Sequence, residues 1–487
     1  MIELSTADIT AITGGRATST ARPDTAVLGV ATDSRECSTG WLFVAKPGET
    51  SDGHHFVPAA IERGAVLTLA ERETYAEDGA VHPAVIVDDA VLAMGALAAH
   101  VVSVLRPGGL RVVGITGSAG KTTTKDLLAA VLSTQGPTVA PVGSYNGEVG
   151  VPLTVFRADH ATRYLVVEMG ATGLGHIDYL ARMTEPEAGV VLCVGTAHAG
   201  EFGGVENIAR TKGELVEALP ADGTAILNLD DPRTAAMAGR TGARVLGFGI
   251  DAPEGAVSAR GVEVGPDGHP SFTLAFPDGG AYPVRSGLIG RHHVHNVLAA
   301  AAAATALGVD PATTASVLDG LGPASRWRME RTERPDGVTV INDAYNANPE
   351  SMRAALRTLA ELGLPDASGT ARRTWAVLGE MLELGADSVH EHDLLGRLAV
   401  RLNIKKLVVV GVGAKAAHNS AVLEGSWGDE AFFVEDVEAA EELLNGQLKP
   451  GDIVLFKSSN GAGLRFLGDR IAWAHSGASA AGEEAAR

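Results

Sequence analysis

Arg111 to Asp126 reads RVVGITGSAGKTTTKD, and this stretch decides how the chain is divided. An apolar run (Val112, Val113, Ile115) leads into Gly117-Ser118-Ala119-Gly120-Lys121-Thr122-Thr123. A helical pattern (Leu127, Leu128, Val131, Leu132) follows. The order predicts strand, glycine turn and helix. Such a turn presents backbone N–H groups at a helix N-terminus, where the helix dipole favours an anion. Lys121 can reach outer phosphates, and the Thr122 hydroxyl can ligate Mg2+. The spacing is not that of the general P-loop, because five residues separate Gly114 from Gly120; only the Gly-Lys-Thr half matches.

Working outward, the chain alternates strand-like and helix-like runs. After the turn Gly143–Gly147 comes an apolar strand, 164–167, ending in Glu168. Another strand, 189–194, ends before Gly195-Thr196-Ala197-His198. Near-continuous apolar strands fit a parallel sheet covered on both faces, and ligands gather at the carboxyl ends of such strands. Glu168 and His198 are therefore candidate metal groups, with Asp230-Asp231 as a rival pair. A helix over 207–219 carries Lys212, which reads by itself as a surface lysine near Glu214. From 245 to 283, short runs broken by Pro-Asp-Gly and Asp-Gly-Gly turns predict antiparallel ribbons. Gly290-Arg-His-His-Val-His-Asn296 opens an alanine-rich helix, and its histidines read as positional. Asn296 can bond a base edge or simply pack.

Upstream, residues 1–87 form a small α/β unit with runs at 27–30, 41–44 and 85–87 and a helix over 56–63. Its loops carry Thr32-Asp-Ser34-Arg35. An alanine-rich amphipathic stretch, 88–105, precedes the Pro-Gly-Gly breaker. Downstream, breaks at 318–323 read as a hinge into a second doubly wound unit, with strands at 338–341, 375–378, 406–410 and 453–456. Asp343-Ala-Tyr-Asn346-Ala-Asn348-Pro lies on its first strand-to-helix turn, where Asp343 suits ribose hydroxyls and Asn348 suits a helix cap. The predicted architecture is α/β in three domains, 1–87, 88–322 and 323–475, with a small polar tail, 476–487, expected to be disordered.

Composition narrows the function. The 487 residues carry a formal charge of −20, which disfavours nucleic-acid and membrane binding but not a nucleotide. Only two cysteines are present, Cys37 and Cys193, without a metal-binding spacing, so a reducing, cytoplasmic setting is expected. No signal peptide is visible and no eighteen-residue window is uninterruptedly apolar, so no membrane insertion is expected; the run 297–307 comes nearest.

Together, Thr32-Asp-Ser-Arg35, the loop 116–123, Glu168, His198, Lys212-Gly-Glu214, Gly290-Arg-His292 with Asn296, and Asp343 to Met352 resemble the Mur ligase family. Gly379-Glu-Met-Leu-Glu-Leu-Gly385 adds a resemblance to its D-alanyl-D-alanine-adding branch. The Asp-Asn-Pro-Arg motif of the branch that adds the third amino acid is absent. The resemblance implies a cytoplasmic, monomeric enzyme of peptidoglycan synthesis. It would use ATP to join UDP-N-acetylmuramoyl-tripeptide to D-alanyl-D-alanine through an acyl phosphate. It further implies that the first domain binds the UDP-sugar (Ser34, Arg35, with Asn146), the central one ATP, and the third the dipeptide (Asn346, Asn348). Gly117, Ser118, Ala119, Gly120, Lys121, Thr122 and Thr123 would hold the phosphates. Asn296, Arg326 and Asp343 would contact the adenosine or phosphates. Thr122, Glu168, His198 and Lys212 would serve two Mg2+ ions, Lys212 as a carbamate. Lys121, Glu168, His198 and Lys212 would thus be catalytic. Two departures stand out: His293 replaces the usual asparagine, and Lys457-Ser-Ser-Asn460 replaces Lys-Gly-Ser-Arg. The alternatives are a folylpolyglutamate synthase-like ligase and a nucleotide-dependent regulatory protein.

Overall fold

A computed structural model describes residues 1–48, 51–195, 203–365, 369–425 and 428–474. The expected tail at 476–487 and His198 lie outside the described residues. Three large sheets, of five, nine and six strands, follow one another along the chain, giving the α/β, three-domain architecture.

The first sheet has the order Arg16–Ala17, Ala84–Ile86, Ala65–Ala70, Trp41–Ala45, Gly29–Ala31 and is parallel except at its first pair. The run read as one strand over 27–30 is two. Ala26–Val27 pairs antiparallel with Leu4–Ser5, and the chain turns at exposed Leu28 before Gly29–Ala31 joins the larger sheet. Ala65–Ala70, absent from the sequence reading, is an inner strand of this sheet.

The helix Ala90–Leu105 follows. Asp89 caps it by accepting from the Val91 and Leu92 N–H groups. Extended to Gly108, it is long and apolar enough to cross a membrane by length and composition, and it surpasses the run at 297–307 that stood out in the sequence. Half of it is buried inside the protein. Its core residues Met94, Leu97 and Val101 share one apolar cluster with Leu67 of the first sheet and Leu165 of the central one. The amphipathic reading holds, with one face buried and Leu92 and Val104 exposed, and the buried face packs between two domains.

The central sheet runs Thr138–Val139, Tyr164–Glu168, Arg111–Thr116, Ala188–Val191, Thr224–Asn228, Arg244–Ile250, Val257–Val264, Pro270–Ala275, Ala281–Arg285. Here the expected ribbon is corrected. Arg244–Ile250 is parallel to Thr224–Asn228, and Val257–Val264 is parallel to Arg244–Ile250; only the last two pairings are antiparallel. The Pro-Asp-Gly turns mark the hairpins, but the strand before them continues the parallel sheet, where the Asp230 carboxylate accepts the Ile250 N–H (2.7 Å). Helices Lys121–Ser133 and His293–Ala306 cover one face. The unbroken run Ala299–Ala304 is fully buried, because methyl side chains let that helix lie close to the sheet.

The third sheet runs Glu330–Glu333, Thr339–Asn342, Ile453–Lys457, Thr374–Leu378, Lys406–Val410, Ala431–Val434, parallel except at the first pair. Helices Pro349–Leu362, Ser388–Arg401, Lys415–Glu424, Val437–Gln447 and Leu464–Trp473 surround it. The hinge predicted at 318–323 begins at the last residue of helix Pro311–Leu318 and falls in a longer stretch, 319–329, that carries no helix or strand.

Helices Ser388–Arg401 and Lys415–Glu424 cross at Gly396, where an added Cβ would clash with the Ala417 carbonyl and the Ser420 hydroxyl. Gly396→Val should therefore destabilise the third domain by roughly 1–3 kcal/mol. Denaturant unfolding followed by a probe in that domain checks this, since a multidomain chain need not unfold in one step.

Candidate active site

The phosphate loop sits at the carboxyl end of Arg111–Thr116. Gly120 caps the following helix at φ +84°, a left-handed conformation that glycine adopts freely. A Cβ there would also run into the Asn296 Oδ1, so backbone angle and space make the same demand. Lys121 curls back and donates from Nζ to the Gly117 carbonyl (2.8 Å). The Ser118 Oγ accepts the Gly195 N–H (2.9 Å), tying the loop to the neighbouring strand end.

Beside the loop, the Glu168 carboxylate is 1% exposed and collects three side-chain donors. Thr122 Oγ1 donates to Oε2 (3.0 Å), while Ser144 Oγ (2.9 Å) and Asn146 Nδ2 (2.8 Å) donate to Oε1. The register explains the meeting: Glu168 pairs with Ile115, one residue before the loop's own strand ends. A carboxylate among hydroxyls is an oxygen donor set of the kind a small hard cation prefers, so these residues fit Mg2+. The rival Asp230-Asp231 pair is otherwise engaged. Asp231 caps a helix and accepts the Val194 N–H, and Asp230 pairs with His295 Nε2 (2.8 Å). Among the described residues no group of three or more His, Cys, Asp or Glu could hold a metal.

Lys212 is not a surface residue. It is 7% exposed on helix Val205–Glu217, and burial, reinforced by the charge of Lys121, brings its amine down to about 7. Nor is Glu214 its partner: that carboxylate accepts the Gly175 and Asp178 N–H groups at the start of helix His176–Thr184.

The third domain reaches the loop directly. Asn348 caps helix Pro349–Leu362 through Oδ1 and donates from Nδ2 to the Ser118 carbonyl (2.9 Å). Both ends of its amide are occupied, so it serves as a joint rather than as the expected dipeptide contact. Asn346 is exposed to the cavity. Asp343 pairs with the buried Lys457 Nζ (2.6 Å) and accepts the Met329 N–H (3.1 Å). Burial lowers the Lys457 pKa, and Asp343 opposes that shift. Arg326 points away from the loop, paired with Asp469 (2.8 Å) on the last helix. The arginine that reaches the loop is Arg328, whose Nη2 donates to Thr122 Oγ1 (3.1 Å). Two arginines one residue apart look alike in sequence; only the backbone bends around them decide which faces the loop.

Around the histidines, His293 accepts the Asn296 amide at Nδ1 (2.9 Å), and Asn296 Oδ1 accepts from Thr124 (3.4 Å). His292 is pushed down to about 4 by burial, and His293 falls well below its usual value for the same reason, so both are neutral, as fits a positional role.

Three family models cover most of the chain: Mur ligase family, catalytic domain (26–108), Mur ligase middle domain (115–304), and Mur ligase, glutamate ligase domain (327–460). The chain belongs to the Mur ligase family. A UDP-N-acetylmuramoyl-tripeptide--D-alanyl-D-alanine ligase of Mycobacterium tuberculosis is 47% identical to this Mur ligase, over 97% of this chain and 98% of the relative. The Bacillus subtilis enzyme of the same description is 32% identical, over 90% and 92%. The crystal structure of MurF from Acinetobacter baumannii superposes with a TM-score of 0.85 at 31% identity, over 97% and 99% of the two chains. That of MurF from Thermotoga maritima, in complex with ADP, gives 0.75 at 27%, over 91% and 97%.

In this Mur ligase three cavities meet at the phosphate loop. The largest, about 650 Å3, is lined by Ser118, Lys121, Asn146, Lys212, Asn346 and Asn460 among others. A second, about 100 Å3, lies between Thr122, Thr123, Glu168 and Arg328. The third, about 370 Å3, is bounded by Ala119, Gly120, Asn296, His293, Asp343 and Lys457. Ser34 and Arg35 line none of these. Ser34 is buried in its turn and Arg35 is paired with Asp33 (2.6 Å). Asp33 and Glu36 of the same turn add to burial in raising the pKa of the Tyr145 phenol.

Gly120→Ala forces a left-handed alanine against Asn296. Nucleotide affinity should fall at least about tenfold while the fold persists, read by calorimetric titration with ATP and by circular dichroism.

Proposed function

We propose that this chain joins D-alanyl-D-alanine to UDP-N-acetylmuramoyl-tripeptide at the expense of ATP, giving the pentapeptide precursor of peptidoglycan, ADP and phosphate. The observation that carries the reading is the 650 Å3 cavity. The phosphate loop, the buried Lys212 and third-domain loops open into one space, where a carboxylate, a phosphoryl group and an amine can meet. The full-length likeness to ligases of that description supports the same substrates.

The reaction has two steps. The tripeptide's terminal carboxylate attacks the γ-phosphorus of ATP, the bond to ADP breaks, and an acyl phosphate forms. The neutral amine of the dipeptide then attacks the acyl carbon, phosphate leaves, and the amine's proton passes to solvent. Activation is required because a carboxylate is a poor electrophile. Lys121 and the loop N–H groups would stabilise charge on the phosphoryl oxygens, and Arg328, at the Thr122 hydroxyl, would add a second cation. Asn296, Asp343 and the cavity beside Gly120 would take the nucleoside. Ser34 and Arg35 would face the uridine diphosphate, and Asn346 the dipeptide.

Thr122 and Glu168 would hold one Mg2+, and Lys212, as a carbamate, the other. When bound, these ions neutralise phosphate charge and hold the oxygens in line. The Lys212 amine fits the modification: near neutral pH a good fraction is uncharged and able to capture CO2, which turns a cation into a carboxylate. His198, expected beside them, lies outside the described residues. The reading implies a cytoplasmic enzyme, since the nucleotide-linked substrates and ATP are found in that compartment, and it keeps the monomer that the family resemblance implies.

Three outcomes test this. Purified wild-type protein given ATP, Mg2+, UDP-muramyl tripeptide and D-alanyl-D-alanine should yield pentapeptide. Lys121→Ala should cut acyl phosphate formation, trapped chemically, by at least about 100-fold. Protein equilibrated with 13C-bicarbonate should show a carbamate carbon that Lys212→Arg lacks. Its amplitude should grow as pH rises from about 6 to about 8, because the amine loses its proton through that range.

A further inference from the structure

Arg328 reaches the phosphate loop on an unusual piece of backbone. The residues on either side, Trp327 (φ +57°) and Met329 (φ +51°), both adopt the left-handed conformation, which bulky side chains rarely take. Such strain persists only where the surroundings over-determine it. Here three carboxylates do so, the nearest being Glu330, which accepts the Trp327 backbone N–H (2.9 Å). Asp343 accepts the Met329 N–H (3.1 Å). Asp469, on the last helix, accepts the Trp327 indole N–H (3.0 Å), the Arg326 guanidinium (2.8 Å) and the Asn342 amide (3.0 Å). The Trp327 ring is flanked by the guanidinium carbons of Arg326 (4.8 Å) and Arg465 (5.3 Å) and lies near-parallel to Tyr345, centroids 6.4 Å apart. Tyr345 in turn carries Arg328 over its face (4.4 Å). The result is a guanidinium fixed on both sides, with Nη2 on Thr122 Oγ1 and a buried Nε N–H that has no partner among the described residues.

We propose that Asp469 is a positioning residue for Arg328. By gripping the Trp327 indole and Arg326, it holds the strained segment in the one path that presents the Arg328 guanidinium to the nucleotide's phosphates. Asp469 touches neither substrate nor the loop, and its whole effect passes through Arg328. The inference rests on the reading that ATP binds at this loop.

Calorimetric binding tests it without relying on the ligase reaction. The probes are a non-hydrolysable ATP analogue with Mg2+ and, separately, adenosine. Asp469→Ala should weaken the analogue about tenfold and leave adenosine unchanged, because misplacing one phosphate-binding cation spares the nucleoside. In an Arg328→Ala background, the same change should cost less than about twofold. Asp469→Asn, which keeps the shape, and Trp327→Phe, which removes the indole donor and keeps an aromatic ring, should move affinity in the same direction. They serve as the test if Asp469→Ala does not fold. Wild-type affinity in these variants, equal losses for analogue and adenosine, or an undiminished loss on the Arg328→Ala background would overturn the proposal. Failure of the ligase reading looks different: wild type would bind the analogue and make no pentapeptide, and the binding cycle would still decide the role of Asp469.

Discussion

A single buried carboxylate organises the centre of this molecule. Glu168 stands at the end of an inner strand with almost no exposure, and a buried charge is tolerated only when its lone pairs are taken. Thr122 from the loop helix and Ser144 and Asn146 from the next turn take them. Because the Thr122 hydroxyl also accepts from Arg328, the same cluster reaches through one more bond to the third domain. Phosphate loop, metal-type oxygens and domain contact are consequently one connected network. Removing one member leaves others unsatisfied in a low-dielectric setting.

A second constraint acts through space rather than charge. The loop glycine at 120 presses on Asn296, which opens a helix whose buried face is alanine. Small side chains bring that helix down onto the sheet, and the same closeness forbids a Cβ at the loop. The nucleoside cavity is formed in the space this packing leaves, between neutral buried histidines and the Asp343–Lys457 pair.

Much of this was legible in the sequence because parallel-sheet topology is strongly directional. Once Arg111–Thr116 and Tyr164–Glu168 are read as neighbouring parallel strands, Lys121, Thr122 and Glu168 must share an edge. Lys212 was less legible: from the residues alone it read as an exposed lysine, and only the packing of its helix shows that it is buried. Ala65–Ala70 was missed because five small or apolar residues and one threonine show no clear alternation, and Gly64 alone marks where the run begins. Arg328 was missed for a different reason. Arg326 and Arg328 would leave a regular strand on one face, and two left-handed residues, which no propensity favours, send them to opposite partners. At Asn348 the cap that the spacing suggests is present, and the cap uses the side-chain oxygen and leaves the nitrogen free for Ser118. A single amide has room for a local and a long-range role, and sequence spacing reveals only the local one.

That shared amide has a mechanical meaning. The first turn of helix Pro349–Leu362 and the carbonyl of Ser118 are joined by one planar group, so an outward swing of the third lobe breaks the bond to Ser118 while the cap at its own helix start can stay closed. A small molecule that offered Ser118 an alternative donor would act as a wedge, prising apart two lobes from a point far smaller than either.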